Sequence, residues 1–174
     1  AEGRRMVTAA REHQRIVQTG SQQRSSEEFW KACTLVRNGA IGKVHTVLVG
    51  IPDCNHPGAL DPDTTPPAEL DYDMWLGPAP YRPYNEKRLH YNFRFWWDYS
   101  GGPVTDWGAH HNDIARWAIG QDGPIAVEAK ATVGPIAGGY TTCKEFEATL
   151  EYAGGIRQIV KTTTADSPFG GIID

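Results

Sequence analysis

What the sequence has little of already argues against several classes of protein. Its three cysteines, Cys33, Cys54 and Cys143, are odd in number and form no C-x-x-C pair, which argues against a disulfide framework and a zinc knuckle. No apolar run approaches the ~20 residues of a membrane-spanning helix. Acidic residues outnumber basic ones, and the formal net charge of −4 argues against a dedicated binder of nucleic acid or anionic membranes. We therefore expect neither nucleic acid nor a membrane as a partner.

The two ends of the sequence lack the signals that usually begin and end a domain. Residues 1–13 have the pattern of the middle and end of a helix, yet no Ser, Thr, Asp or Asn precedes them as an N-cap. Residues 167–174 stop in a Gly/Pro loop with an apolar tail. The length of 174 residues suits one domain. The ends, however, predict a fragment of a longer protein.

Local patterns predict an α/β (α+β) fold: an open-faced, mostly antiparallel sheet with helices packed on one face. Ser25 and Glu28 form an S-x-x-E capping box that opens a helix, and Asn38-Gly39 ends it. Residues 145–152 alternate apolar and polar side chains, as in a sheet with one buried and one solvated face. The predicted helices are 25–38 and 104–119, after the helix within 1–13, and the predicted strands are 15–20, 43–50, 125–133, 145–153 and 156–164, the last two forming a hairpin.

A long irregular segment separates the first of the long strands from the second long helix. Residues 51–83 hold most of the 12 prolines together with several aspartates. In a compact domain, a loop of this length is more often a binding loop than a connector. An aromatic-rich segment follows it and reaches Tyr99.

The segment 101–117 gives the strongest indication of function. Residues three and four apart on a helix are neighbours, so Asp106, His110 and Asp113 would share one stripe. The residues around them are apolar and predict a largely buried helix, in which polar groups must be paired or functional. A catalytic site and a satisfied structural network both fit this pattern.

A metal site fits the same segment less well. His110, His111 and Asp113 are all potential ligands. Adjacent helical residues point about 100° apart, so the two histidines are poorly placed to hold one ion. The i, i+4 histidine pair of H-E-x-x-H sites is absent. We therefore predict no metal site.

Four stretches of the sequence resemble the Gfo/Idh/MocA family of NAD(P)-dependent sugar and polyol oxidoreductases. They are SQQRS, NGAIGKVHTV, DYDMWLGPAPYRPY and FRFWWDYSGGPVTDWGAHHNDIARWAIG. The most specific part is the GG-x3-D-x3-H-x2-D pattern in the last stretch. The resemblance runs over nearly all of residues 1–164.

The resemblance implies a division of the chain into two parts. Residues 1–24 would be the last helix and strand of a dinucleotide-binding Rossmann domain, and residues 25–174 a truncated substrate-binding and oligomerisation domain. Family members carry a Gly-rich phosphate loop and an EKP-type lysine upstream, and neither motif occurs here. NAD or NADP would thus be the cofactor of the full-length protein, and this chain alone would be inactive.

The same resemblance implies roles for individual residues. His110 matches the general acid/base that handles the alcohol proton, and an imidazole titrates near neutral pH. Asp106 matches an aspartate that binds a substrate hydroxyl or orients the missing lysine. Asp113 belongs to the predicted substrate-binding set, although fixing the helix or the histidine tautomer is the stronger interpretation of its place. Hydride transfer itself is the chemistry of the nicotinamide.

Two further groups of residues are candidates at the same site. Gln22, Gln23 and Arg24 would pass the nicotinamide end of the cofactor, or else form a simple polar turn. A sugar pocket is commonly lined by aromatic and amide or guanidinium side chains, although an aromatic cluster is more often core or interface. The candidates for that lining are His90, Tyr91, Asn92 and Trp96, with Arg94 beside them.

The predicted function is therefore part of an oxidoreductase that transfers hydride between NAD(P) and a sugar, polyol or related hydroxy compound. One alternative is an NAD-dependent glycoside hydrolase on the same scaffold. Another is an inactive sheet module that oligomerises, and a homo-oligomer through the sheet is expected in either case. The sequence leaves open the sugar, the choice of NAD or NADP and the cellular compartment.

Overall fold

The computed structural model describes residues 2–53, 60–135 and 137–163. None of the helices in these ranges is long and apolar enough to cross a membrane. The helices are α1 (Glu2–Glu12), α2 (Glu27–Arg37), α3 (Tyr72–Leu76) and α4 (Trp107–Ile119), and the strands are β1 (Thr46–Pro52), β2 (Ala126–Val133), β3 (Glu145–Glu151) and β4 (Arg157–Thr163). Short 3₁₀ segments lie at Gln22–Ser25, Glu86–Arg88, His90–Phe95, Gly102–Val104 and Ala153–Gly155.

The four strands form one sheet in the order β1-β4-β3-β2. The pairs β3–β4 and β2–β3 are antiparallel, and β1 runs parallel to β4 with Val49 opposite Val160. The prediction of one mostly antiparallel sheet is confirmed. Its strand boundaries agree with the structure to within three residues.

Helix α4 joins the helical layer to the sheet. It packs on β1, and α2 packs on α4 in turn. The core between them consists of Val49, Ile51, Ala115, Phe146 and Val160. Both helices therefore lie on one face of the sheet, toward its β1 edge.

A polar side chain also stands in this core, and it is fully paired. Gln158 on β4 is 0% exposed. Its amide nitrogen donates to Oδ1 of Asn112 on α4 at 2.7 Å, and its amide oxygen accepts from the Tyr152 hydroxyl at 2.9 Å. Because buried polar groups are costly when unpaired, this network fixes the register of α4 on the sheet.

The segment after β1 is folded around aromatic side chains. Asp71 caps the short helix α3 by accepting from the Met74 amide at 3.0 Å. Two clusters bury most of the apolar side chains here: Tyr72, Leu76, Tyr84 and Leu89 in one, and Phe95, Trp96 and Tyr140 in the other. Of the predicted irregular segment, Tyr72 and Leu76 thus pack into one of these clusters, whereas residues 61–65 and 67–69 are exposed.

The predicted strand at 15–20 is wrong. These residues follow α1 without pairing to any strand of the described chain, and Ile16 is 99% exposed. The β-branched residues Ile16 and Val17 raise strand propensity, but a strand forms only where a neighbouring strand supplies its hydrogen bonds.

Two details of the predicted helices also need correction. The N-cap of α2 is Ser26 and not Ser25. The Ser26 hydroxyl accepts a hydrogen bond from the Phe29 amide at 3.5 Å and donates one to the Glu28 carboxylate at 2.5 Å. The prediction that the second long helix is largely buried is wrong as well, because most of its residues remain partly or fully exposed although α2, β1 and the turns at Gln22–Ser25 and Gly102–Val104 contact it. Only Gly108 and Ala115 of α4 are fully buried. Cys54 and the predicted loop at 167–174 lie outside the described residues.

Gly102 offers a direct test of the turn that leads into α4. Its φ of +71° is unfavourable for other residues, and a Cβ there would lie 2.7 Å from Cβ of the buried Thr142. Gly154, with φ +79° and nothing within 4 Å of a Cβ, is the matched control. We expect Gly102→Ala to lower the free energy of unfolding by about 1–3 kcal/mol more than Gly154→Ala, because only the first adds a steric overlap. Urea unfolding of both variants measures this, and equal losses would contradict the packing argument.

Candidate functional site

The candidate site is built around the start of helix α4. Gly102 and Pro103 are buried and form the 3₁₀ turn that precedes it. Asp106 then occupies the N-cap position, but its side chain makes no capping hydrogen bond. The carboxylate is therefore available to other partners.

Arg94 engages that carboxylate. Its Nη1 donates to Oδ2 of Asp106 at 2.9 Å, and the two side chains are 20% and 22% exposed. The guanidinium carbon of Arg94 also lies 3.6 Å from the centre of the Tyr91 ring, a close cation–π contact. The other oxygen of Asp106, Oδ1, has no hydrogen-bond partner in the described part of the chain. It is not among the buried side-chain atoms that lack a partner.

His110 lies one turn along α4 and is half-buried. Its ring packs near Trp107, with the ring centroids 6.2 Å apart. Neither ring nitrogen has a hydrogen-bond partner within the described residues, so no Asp–His–Asp network joins the predicted stripe. Both ring nitrogens are therefore open to partners outside the described residues.

His111 has a different environment from its neighbour. Its Nδ1 lies 2.8 Å from the Gly50 carbonyl oxygen on β1, which requires Nδ1 to carry the proton and donate. The centroids of the His111 and Trp107 rings are 5.3 Å apart. His111 therefore fastens α4 to the sheet.

Asp113 is held by the polypeptide that precedes α2. Arg24 grips it with two hydrogen bonds, Nε to Oδ2 at 2.6 Å and Nη2 to Oδ1 at 2.9 Å. The same guanidinium lies 5.3 Å from the Trp117 ring centre. The hydrogen bonds from Arg24 lower the pKa of the Asp113 carboxyl, and those to Asp113 raise the pKa of Arg24. This bidentate pair joins two segments that are 89 residues apart in sequence.

The other predicted residues are dispersed. His90 is exposed at φ +48°, and Trp96 is 5% exposed with its indole N–H donating to the Lys87 carbonyl at 3.2 Å. Gln22 is exposed, while Oε1 of Gln23 is buried without a partner. Trp96 thus belongs to the core, and the turn that contains the two glutamines contacts α2 and α4.

A cavity of about 130 Å³ opens beside Asp106. It brings together three of the predicted residues, Tyr91, Asn92 and Asp106. His110, Asp113, His90 and Trp96 are not in its wall. The complete set of lining residues is Pro52, Asp53, Tyr91, Asn92, Phe95, Pro103, Asp106, Trp107 and Tyr140.

Sequence reasoning did not identify Asp53 as a member of this site. The residue directly follows the last residue of β1, and such positions at the end of a buried strand often carry functional polar groups. Its carboxylate lies 3.6 Å from Nζ of Lys144 and makes no hydrogen bond to the described residues. The position of Asp53 at the end of a strand could have identified it as a candidate. That Asp53 lines the same cavity as Asp106 was not visible in the sequence.

A second depression, of about 440 Å³, lies around α3. Its wall includes Pro66, Pro67, Asp71 and Tyr81. Asp71 is already used as the cap of α3. Within the described residues, no group of three or more His, Cys, Asp or Glu side chains could hold a metal ion.

Comparison with known proteins agrees with this architecture. The family model GFO_IDH_MocA_C2, described as the C-terminal alpha/beta domain of an oxidoreductase family, matches residues 57–169. No curated protein matches the chain.

Two solved structures share the fold. GenD2 from gentamicin A biosynthesis, in complex with NAD, is 21% identical, with a TM-score of 0.61 over 97% of this chain and 38% of its own. The WlbA dehydrogenase from Chromobacterium violaceum, in complex with NADH and UDP-GlcNAcA, is 17% identical, with a TM-score of 0.59 over 94% of this chain and 38% of its own. The chain thus spans well under half the length of either structure. Because the family model covers well over half of the chain and both structures share its fold, this chain belongs to the Gfo/Idh/MocA oxidoreductase family, as the C-terminal α/β domain.

Proposed function

We propose that this chain is the substrate-binding part of an oxidoreductase that transfers hydride between NAD(P) and a CH–OH group of a sugar, polyol or related hydroxy compound. The observation that carries the proposal is the start of α4. There Asp106 lines a cavity with one oxygen that no described residue binds, and one turn further on neither ring nitrogen of His110 bonds to a described residue. Family membership and the NAD-bound structural relatives support the same class of reaction.

His110 and Asp106 divide the proton chemistry between them. A neutral imidazole accepts the hydroxyl proton of the substrate as the alcohol becomes a carbonyl, and returns it in the reverse direction. Asp106 accepts a hydrogen bond from a substrate hydroxyl and so orients the ring. When bound, the nicotinamide supplies the hydride acceptor or donor. Arg94, which lies outside the cavity wall, holds the Asp106 carboxylate in place through its hydrogen bond.

The fit of this chain to the cofactor is partial. The sequence contains no G-x-G-x-x-G turn, so the usual pyrophosphate site is absent from these residues. Gln23 has an unpaired buried amide oxygen, whereas the guanidinium of Arg24 is already taken by Asp113. We propose that residues 1–24 belong to the nucleotide domain, that Gln22 and Gln23 form the edge of the cofactor site, and that Arg24 positions them against α4.

The sheet is the proposed subunit interface. All eight residues of the edge strand β2 are exposed, including Val127 and Val133. An exposed edge strand with unpaired backbone groups and apolar side chains is a natural surface for association. A homo-oligomer through this edge is the arrangement that these features support.

Substitution of the two adjacent histidines tests the assignment of the acid/base. We expect His110→Ala to lower kcat by about a hundred- to ten-thousand-fold in the whole protein, the usual contribution of a general acid/base, with its melting temperature and cofactor affinity unchanged. Asp106→Asn should cost a comparable factor, because it removes the charge beside the reacting hydroxyl.

His111→Ala is the matched control. It removes the bond to Gly50, so it should lower the free energy of unfolding by about 0.5–1.5 kcal/mol and change kcat little. Steady-state kinetics and thermal unfolding separate the two effects. Equal kinetic losses in both histidine variants, or a purely thermal effect of His110→Ala, would show that the stripe is structural. Release of a free sugar without net cofactor reduction would indicate glycoside cleavage instead.

The missing glycine-rich turn predicts weak cofactor binding by this part of the protein. A polypeptide of residues 1–174 should give no measurable heat with NAD(H) or NADP(H), because it lacks the helix N-terminus that holds a pyrophosphate. Isothermal titration calorimetry is the measurement. A dissociation constant in the micromolar range would contradict the assignment of domains.

The Arg24–Asp113 pair predicts a pH-dependent contribution to stability. The lowered pKa of Asp113 means that the ionised form stabilises the fold at pH values above its unfolded pKa of about 3.9, and that this contribution is lost as the pH falls through the lower folded pKa. Asp113→Asn should therefore destabilise the protein more at pH 7 than at pH 3. Urea unfolding across this range measures the difference. The Arg24→Lys variant keeps the positive charge and loses the two parallel hydrogen bonds of the guanidinium. A pH-independent difference would rule out the ion pair as its cause.

A further inference from the structure

The cavity beside Asp106 has polar groups that no described residue uses. Both oxygens of Asp53, Oδ1 of Asp106 and the side-chain amide of Asn92 make no hydrogen bond to the described residues. Asp53 is exposed, and the atoms of Asp106 and Asn92 are not among the buried side-chain atoms that lack a partner. Unpartnered groups that converge on one small cavity are characteristic of a ligand site.

The remaining wall is aromatic. Tyr91, Phe95, Trp107 and Tyr140 contribute their rings. The rings of Phe95 and Tyr140 pack together at 4.8 Å between centroids, and Phe95 is buried. Flat apolar surface next to hydrogen-bond acceptors matches a ring whose faces carry C–H groups and whose edge carries hydroxyls.

The charges around the cavity are not fully balanced. Asp106 is paired with Arg94, whereas Lys144 is shared between Asp53 at 3.6 Å and Glu145 at 4.0 Å, so three carboxylates face two cations. Asp53 and Asp106 line the cavity, and neither cation is part of its wall. An anionic ligand would therefore meet two carboxylates whose negative charge is only partly offset.

The size of the cavity limits the ligand. About 130 Å³ corresponds to roughly four water molecules at about 30 Å³ each. Pockets for whole drug-sized ligands begin near 300 Å³. The cavity therefore accommodates one edge of a single ring.

We propose that this cavity binds the hydroxyl-bearing edge of one uncharged sugar or polyol ring, with Asp53 and Asp106 as the hydrogen-bond acceptors, and that it rejects rings bearing a carboxylate or phosphate at that edge. This inference rests on the proposed function, since it describes the substrate of the same site. Asp53 becomes a specificity-determining residue, because Lys144 is shared with Glu145 and offsets its negative charge only in part.

The test is binding by the whole protein without turnover. Ligand-observed saturation-transfer NMR would compare myo-inositol and D-glucose with D-glucuronate. We expect the neutral rings to bind at least about tenfold more tightly than glucuronate, because like charges at short distance oppose binding. Asp53→Asn should weaken binding of the neutral rings about tenfold and reduce their advantage over glucuronate. Asp98→Asn is the matched control: that carboxylate is paired with Arg82 at 2.8 Å, lies outside the cavity wall and should change neither value.

The outcomes separate this inference from the proposed function. Equal or tighter binding of glucuronate, no binding of any probe, or an Asp53→Asn variant identical to Asp98→Asn would overturn the inference. Sugar binding with the expected selectivity, but without cofactor reduction, would support the inference and count against the proposed reaction. Cofactor reduction by polyols with no effect of Asp53→Asn would support the proposed reaction and count against the inference.

Discussion

The one-sided packing of α4 determines how the rest of the site is arranged. The helix is bound to β1 through His111 and Ala115, and to β4 through the bond between Asn112 and Gln158. Because these contacts occupy the sheet-facing side, they fix the rotation of α4 about its axis. His110 then makes no hydrogen bond to the described residues, since its neighbour His111 carries the bond to the sheet.

The charged residues of the site follow a single physical rule. A carboxylate in a partly buried site is costly unless a cation or hydrogen bonds compensate for its lost hydration. Asp113 is compensated by two hydrogen bonds from Arg24 and has no oxygen left unpaired. Among the described residues, Asp106 receives one such bond, from Arg94, and Asp53 receives a cation without a hydrogen bond. The degree of compensation thus ranks the three: Asp113 is committed to structure, and Asp106 and Asp53 retain oxygens that can bind a ligand.

Much of the fold could be predicted from the sequence because the signals were local. The alternation of apolar and polar residues in β3, and Asn38-Gly39 at the end of α2, depend only on neighbours in the chain. The strand predicted at 15–20 failed because strand propensity says nothing about whether a partner strand is present. The prediction of Ser25 rather than Ser26 as the N-cap was wrong because it depends on locating the first residue of the helix to within one position. Apolar composition also predicted a buried α4, whereas burial depends on how many layers surround the helix.

The site itself was predictable only where its residues share one element. Asp106 and His110 were singled out because a four-residue spacing and a family pattern both mark them; Asp106 lies in the cavity wall and His110 does not. Arg94 binds Asp106 and Asp53 lines the same cavity only through the fold, and no spacing in the sequence records such arrangements. The same limit explains Trp96, whose place in an aromatic run fits core and pocket equally well until its indole N–H is seen bound to the Lys87 carbonyl.

The Arg24–Asp113 pair connects these local and long-range features. The stripe Asp106–His110–Asp113 looks uniform in sequence, yet its last member is bound by the segment that comes before α2. An ion pair with two parallel hydrogen bonds tolerates little rotation, so it fixes the turn at Gln22–Ser25 relative to α4. If that turn borders the cofactor, as proposed, the distance between the cofactor and His110 depends on this pair. Proton and hydride must leave the same carbon–oxygen unit, and misplacement by about an ångström can reduce the rate about a hundredfold. A residue that touches neither the substrate nor the cofactor would then set the rate through geometry alone.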